Sequence, residues 1–496
     1  MSLFLNFYFL TPDCFLITAS LGLLLFGVLT STNKLFGFPV LTTAFFYLSI
    51  EIFGMCSLLL ICQGPINGFF WNGALISNEF TFLAKLFLFF ISLVILALSN
   101  VYLQRLKISF FEFWVLNLLA VSAASLVLHA FDLLSLYITL EFQSLIFYIL
   151  ASLNRTSEFS TEAGLKYFIL GAFSSVFLLI GSALLYNLTG LSNFADFSKL
   201  FADSSNLDFN FMLSITLSLV FILIAFLFKF NVAPFHFWSP DVYEGVPVPV
   251  TALFATLPKI AILGLIIKII FFSFFNFLSF IDSFLIFCCI CSSVIGVLGA
   301  FEQKKWKRFI AYSSIGHASF MLLGLLSNDF FALSSVFIFL IIYIITTLSY
   351  FLVLTNLNVF KYPKVTFSRV ITDSGNLGVN NKLLTFTVLL TMFSLAGIPP
   401  LAGFFSKLAI LMGSLKNNLV SISILIILLT CIASFYYLRF LKILYFDTIQ
   451  SHLVLLPINF MDGFLLTFLS FITIFLFVDF NFINSVAKLM ALALLK

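Results

Sequence analysis

Apolar runs of about 20 residues recur along the whole chain, separated by short polar stretches, and their length predicts membrane-spanning helices. Fourteen spans follow, at roughly 14–31, 38–62, 80–101, 109–128, 131–152, 163–187, 210–238, 249–273, 277–300, 306–326, 330–354, 383–415, 419–443 and 462–479. Two are overlong and carry prolines inside them: Pro234 in the seventh, and Gly397-Ile398-Pro399-Pro400 in the twelfth. Proline removes a backbone donor and clashes with the preceding turn, so both helices are expected to break there. A broken helix at membrane depth is tolerated only where protein buries it or a polar cavity receives it. The pattern predicts an all-α polytopic membrane protein.

Charge placement orients the spans. With the N-terminus defining one side, fifteen of the 24 Lys and Arg fall in loops of the opposite side, and only Lys199 and Lys416 in loops of the N-terminal side. Lys488 and Lys496 lie in the tail, and Lys85, Lys229, Lys259, Lys268 and Lys407 within spans. This asymmetry follows the positive-inside rule and puts both termini away from the matrix or cytoplasm. The longest polar interruption, 355–382, reads as a surface segment, and 480–496 as a terminal helix lying at the interface.

Composition agrees: 62% of residues are hydrophobic, 9% are charged, and the mean hydropathy is +1.19. A soluble domain carries about 25% charged residues. The net charge of +4 is too small and too dispersed to suggest nucleic-acid binding. Cys288, Cys289 and Cys291 read as a helix face, because no His or acid lies beside them in sequence. No metal, haem, cluster or disulfide framework is expected. No cleavable signal or Arg-rich transit peptide is visible at the start. The 72 Phe fit free drift among apolar residues in lipid under an A+T-rich coding bias, as in an organelle genome.

The informative residues are charges inside spans, where an ammonium costs roughly 3 kcal/mol or more. Glu141 lies ten residues into the fifth span, and Lys259 ten residues past Pro249, both near mid-depth. Lys229 and Lys407 sit beside the two helix breaks, each about nine residues from the end of its span. His317 lies eleven residues into the tenth span, with an unperturbed pKa near 6.5 that suits proton exchange. Each has a bland alternative: a satisfied carboxyl, lysines anchored on freed carbonyls, a packing histidine. Together they read as a proton relay, since moving one charge across 100 mV takes about 2.3 kcal/mol, within reach of electrostatic coupling between neighbours. Lys268 is an accessory candidate at an exit on the N-terminal side. Glu51, mid-span in the second helix, is either a proton-path residue or a contact with a neighbouring subunit. Lys85 is read as structural, its ammonium snorkelling to the interface.

Spans four to eight and nine to thirteen look like two inverted repeats, because in each block the fourth helix is broken and carries a lysine. The expected organisation is 1–104 (three N-terminal helices), 105–274 and 275–444 (the repeats) and 445–496 (a C-terminal helix and tail).

Three motifs, FKFNVAPFHFWSPDVYEGVPVPVTALFATLPKIA (228–261), KKWKRFIAYSSIGHASFMLLGLL (304–326) and FSLAGIPPLAGFFSKLAIL (393–411), resemble the antiporter-like membrane subunits of respiratory NADH:quinone oxidoreductase, complex I. PDVYEGVPVPVTA is most similar to the subunit 2 branch, subunit N in bacteria, and a lysine at 407 agrees with it. The resemblance implies a proton-translocating subunit with no redox cofactor of its own, NADH, FMN, Fe–S clusters and quinone being bound by other subunits. It also implies other membrane-arm subunits and membrane lipids as partners, and a mitochondrial inner membrane or bacterial plasma membrane location. Carried onto this chain, it makes Glu141 and Lys229 the first pair, Lys259 the central relay, His317 the span-ten site and Lys407 the distal site. A cation/proton antiporter of the same ancestry, a plastid NADH-dehydrogenase-like subunit and a membrane scaffold without transport are the alternatives.

Overall fold

Helices begin where the apolar runs begin. In order they are α1 (Thr11–Ser31), α2 (Gly37–Gln63), α3 (Glu79–Leu106), α4 (Glu112–His129), α5 (Leu133–Ala151), α6 (Glu158–Thr189), the short α7 (Phe194–Leu200) and α8 (Phe209–Phe230). Then come the short α9 (Trp238–Gly245), α10 (Val248–Ile267), α11 (Leu278–Phe301), α12 (Trp306–Leu326) and α13 (Phe330–Asn356). The four-residue α14 (Leu377–Asn380), α15 (Lys382–Ala396), α16 (Ala402–Lys416), α17 (Val420–Phe446), α18 (Phe460–Val478) and α19 (Phe480–Leu495) complete the chain. The computed structural model describes residues 7–31, 37–106, 110–202, 208–361, 364–367, 369–375, 377–446, 454–455 and 457–495. Lys34 and Lys107 of the charge count, and Lys496 of the tail, lie outside the described residues.

Twelve helices among the described residues are long and apolar enough to cross a membrane. The other two of the fourteen expected spans take special forms. The twelfth is split into α15 and α16, and the fourteenth, α18, turns through 89° into α19, the terminal helix expected from the sequence. The polytopic all-α fold is therefore the one the apolar pattern predicts.

Both breaks fall at the prolines. α8 ends at Phe230, Asn231 takes φ +66°, and Pro234 follows before α9. α15 ends on Gly397 at φ +81°, a left-handed residue that caps the helix, and Pro399-Pro400 prevents its continuation. The breaks are not copies of one another. Lys229 closes the helix before its break, whereas Lys407 lies in the helix after.

The chain forms two units, one of Met1–Phe230, Leu257–Phe284 and Leu492–Lys496, the other of Asn231–Thr256 and Leu285–Ala491. In the first, α6 packs along α8, and α5 lies between α4 and α6. A hairpin of β1 (Gly68–Phe70) and β2 (Leu75–Ser77) pairs Phe69 with Ile76. Its turn, closed by the Ala74 amide donating to the Trp71 carbonyl, places Asn72 and Gly73 at φ +55° and +81°, as a type I′ turn requires. In the second unit, α13 packs on α12, α15 and α16.

The second unit also joins two of the sequence motifs. Asp241 of α9 accepts from Arg308 at 2.9 Å, Glu244 is bonded to both Arg308 and Lys305, and Lys307 donates to the Val246 carbonyl. Burial holds the Tyr243 phenol above its ordinary pKa, so α9 carries no charge beyond these two carboxylates. Partly exposed ion pairs contribute up to about 1 kcal/mol each. Glu244→Gln and Arg308→Gln are each expected to lower the melting temperature of the solubilised protein by a few degrees. The double variant should lose less than the two losses added together, because both single changes break the same pair. Fully additive losses in thermal unfolding would contradict that coupling.

Candidate functional site

An ammonium in the membrane interior needs oxygen acceptors, and in a continuous helix each carbonyl is already bonded to the i+4 amide. The last four carbonyls of a helix are the exception, and they also form the negative end of its dipole. At Lys407 the chain uses this exception. The side chain reaches back across the break, and Nζ donates to the carbonyls of Leu395 and Ala396, both at 2.8 Å, at the C-terminal end of α15. A Cβ on Gly397 would lie 2.8 Å from Lys407 Cδ, and one on Gly403 would collide with the Ser394 carbonyl. Glycine is thus required at both positions for the half-helices and the lysine to meet.

His317 lies deep in the same unit. Its Nε2 is 3.4 Å from the Tyr437 hydroxyl, and the rings of Tyr343 and Phe339 lie 5.4 and 5.9 Å away. Two small cavities, of about 30 and 10 Å³, are each lined by both His317 and Lys407. Hydroxyls of Ser293, Ser313, Tyr436 and Tyr437 line the larger, and Thr346, Ser394 and Ser406 line the smaller. A water needs roughly 10–15 Å³ and two to four polar partners, so the larger cavity meets both requirements. The Lys407 ammonium is also 5.6 Å from the Phe320 ring centroid, within cation–π reach.

In the first unit, Lys229 in the last turn of α8 donates to the Leu140 carbonyl of α5 at 3.3 Å. Glu141 is the next residue along α5, and its Oε2 accepts from the Ser144 hydroxyl at 3.2 Å. The Glu141 charge acts on Lys229, but no contact of ion-pair length joins them among the described residues. Lys259 on α10 is 2% exposed, and its Nζ lies 6.0 Å from the Phe230 ring centroid. Pro258 precedes it and leaves α10 one backbone bond short. The structure therefore brings Glu141 together with Lys229, and His317 together with Lys407.

Lys268 is buried at the end of α10, where the helix passes into a π-helical turn, Lys268–Ser273. Glu51 is exposed on α2. Lys85 departs from the expectation of snorkelling: it is 2% exposed and ion-paired with Asp13, itself 1% exposed. Asp13 and His129, which touches it, went unread in the sequence. The signal was present, because α1 and α3 start on the same side and carry Asp13 and Lys85 in their first two turns.

A family model described as NADH:quinone oxidoreductase/Mrp antiporter, TM, matches residues 130–433. NADH-ubiquinone oxidoreductase chain 2 of Marchantia polymorpha is 37% identical, covering 95% of each chain, and that of Arabidopsis thaliana is 35% identical, covering 94% of this chain and 92% of its own. NADH-quinone oxidoreductase subunit N of Paramagnetospirillum magneticum is 36% identical over 88% of this chain and 87% of its own. The chain belongs to the NADH:quinone oxidoreductase/Mrp antiporter membrane-subunit family. Chains of respiratory complex I from Thermus thermophilus (TM-score 0.78, 24% identity, covering 96% and 98%) and of the Mrp complex from Dietzia (TM-score 0.79, 18% identity, covering 98% of each) share its fold.

The geometry at Gly397 yields a direct test. Gly397→Ala forces an L-residue to φ +81° against the Lys407 side chain, a strain of about 1–3 kcal/mol. The variant is expected to lower proton movement per quinone reduced in sealed vesicles. In a Lys407→Met background it is expected to lower it no further. Equal losses in both backgrounds would show that Gly397 acts independently of the lysine.

Proposed function

We propose that this chain is the proton-translocating membrane-arm subunit 2 (subunit N) of an NADH:ubiquinone oxidoreductase, in a mitochondrial inner membrane or a bacterial plasma membrane. Both termini face away from the matrix or cytoplasm. Full-length relatives named as that subunit, at 33–37% identity, support the reading. The observation that carries the mechanism is that His317 and Lys407 line the same two small cavities.

Protons move by exchange at fixed nitrogens and oxygens. Glu141 biases the charge on Lys229, Lys259 holds the middle position, and His317 and Lys407 exchange protons through water in their cavities. Lys407 uses two of its three donors on Leu395 and Ala396, which leaves one to hand to that water. Quinone reduction in other subunits supplies the driving force, and NADH, FMN, Fe–S clusters and quinone are bound there. This chain contributes no redox group. Its partners are the other membrane-arm subunits and lipid.

Lys229→Met in the assembled complex tests the reading. Losing a positioned proton-transfer group costs about 10²-fold or more, so proton movement per quinone reduced in sealed vesicles is expected to fall clearly below wild type. Wild-type stoichiometry at wild-type turnover would leave the buried charges a structural role only.

A further inference from the structure

A second group of buried charges lies in the first unit, apart from the residues given relay roles above. Asp13 sits in the first turn of α1, Lys85 in the second turn of α3, and His129 at the end of α4, each 1–2% exposed. Lys85 is bonded to Asp13 Oδ2, and His129 Nε2 lies 3.4 Å from the same oxygen. His129 Nδ1 is 2.7 Å from the Ile76 carbonyl on the β1–β2 hairpin. A carbonyl only accepts, so Nδ1 carries the hydrogen. Nε2 then meets the carboxylate either as a lone pair, which repels it, or with a proton that bridges the two. Neither Nε2 nor Asp13 Oδ1 has a hydrogen-bond partner among the described residues. The cluster therefore has a place for one exchangeable proton.

Lys268 ties this cluster to a cavity. Its ammonium donates to the carbonyls of Leu128 and of Ala130 (3.5 Å), one on either side of His129. Lys268, Ile76, Glu79, Asn67 and Asn78 line a cavity of about 390 Å³, and Ile76 is the residue whose carbonyl holds His129. At about 30 Å³ of liquid volume per molecule, it has room for several waters. The π-helical turn that begins at Lys268 packs against α7, and beside it Phe274 lies 5.3 and 5.4 Å from the rings of Phe197 and Phe201. Such turns occur mostly inside helices at functional positions.

We propose that Asp13, Lys85, His129 and Lys268 form a second proton-exchange site, opening through this cavity to the side of the membrane that holds the N-terminus. Lys268 gives one proton to a cavity water and takes one back. The His129–Asp13 pair gains or loses one bridging proton, and its added positive charge favours release from Lys268, one peptide unit away. The other titratable groups facing the cluster are the Cys14 and Cys56 thiols beside Asp13, and Glu79 in the cavity wall.

The inference rests on the reading of the chain as a proton-translocating subunit, so Lys229→Met is run alongside. Protons moved per quinone reduced are measured in sealed vesicles for Lys268→Met, His129→Gln and the double variant Asp13→Asn/Lys85→Met, as the pH of the N-terminal-side compartment is varied. Native gels check assembly. The double variant leaves no buried unpaired charge, and His129→Gln retains a side-chain donor for the Ile76 carbonyl while accepting no proton. Each variant is expected to lower the ratio and to shift or abolish its dependence on that pH. A wild-type ratio with unchanged pH dependence in the assembled His129→Gln and Lys268→Met variants overturns the site. If Lys229→Met loses translocation while these variants do not, only the second site fails. If Lys229→Met also translocates normally, the underlying reading fails.

Discussion

A charged amine inside hydrocarbon must be given oxygen atoms, and Lys229 and Lys407 each find them on helix carbonyls. One of the two breaks in this chain answers that constraint directly. Pro399-Pro400 ends α15 at membrane depth, and its uncovered carbonyls at Leu395 and Ala396 hold the Lys407 ammonium. Gly397 and Gly403 are small because the lysine and the second half-helix must pass close to that end. At the other break, Lys229 closes α8 and finds its acceptor on α5, beside Glu141. The two breaks thus serve their lysines differently: Lys407 is held by carbonyls that its break uncovers, Lys229 by a carbonyl inside the intact α5.

The same constraint explains which helices are buried. α10, α12 and α13, which carry or face Lys259, His317 and the cavities, are almost wholly enclosed by protein. α6 and α17 carry no relay residue and leave most of their surface to lipid. Apolar side chains gain little by leaving lipid for protein, so a helix can stay largely exposed while the one polar group it carries is enclosed, as Asp13 is on α1.

Much of this was legible in the sequence, because length and composition of apolar runs report spans directly, and proline reports breaks. Glu141, Lys229, Lys259, His317 and Lys407 stood out as charges in apolar surroundings. What escaped were the pairings made between distant segments. Lys85 looked free to snorkel because its partner, Asp13, lies 72 positions earlier in the chain. His129 falls between the fourth and fifth expected spans, where nothing in the local sequence marks it as buried. The hairpin that holds it was signalled only by Asn72-Gly73 between apolar residues, a turn signal easily passed over in so apolar a chain.

If this constraint is also the mechanism, the lysines change protonation during turnover and do not merely anchor the helix ends. Infrared difference spectroscopy on the assembled complex, with ¹⁵N-labelled lysine, reads that change in the ammonium deformation bands. The account requires a lysine band that changes between resting and quinone-reducing states, shifts with the label, and disappears in part in Lys407→Met. A difference spectrum with no label-sensitive lysine band would contradict it.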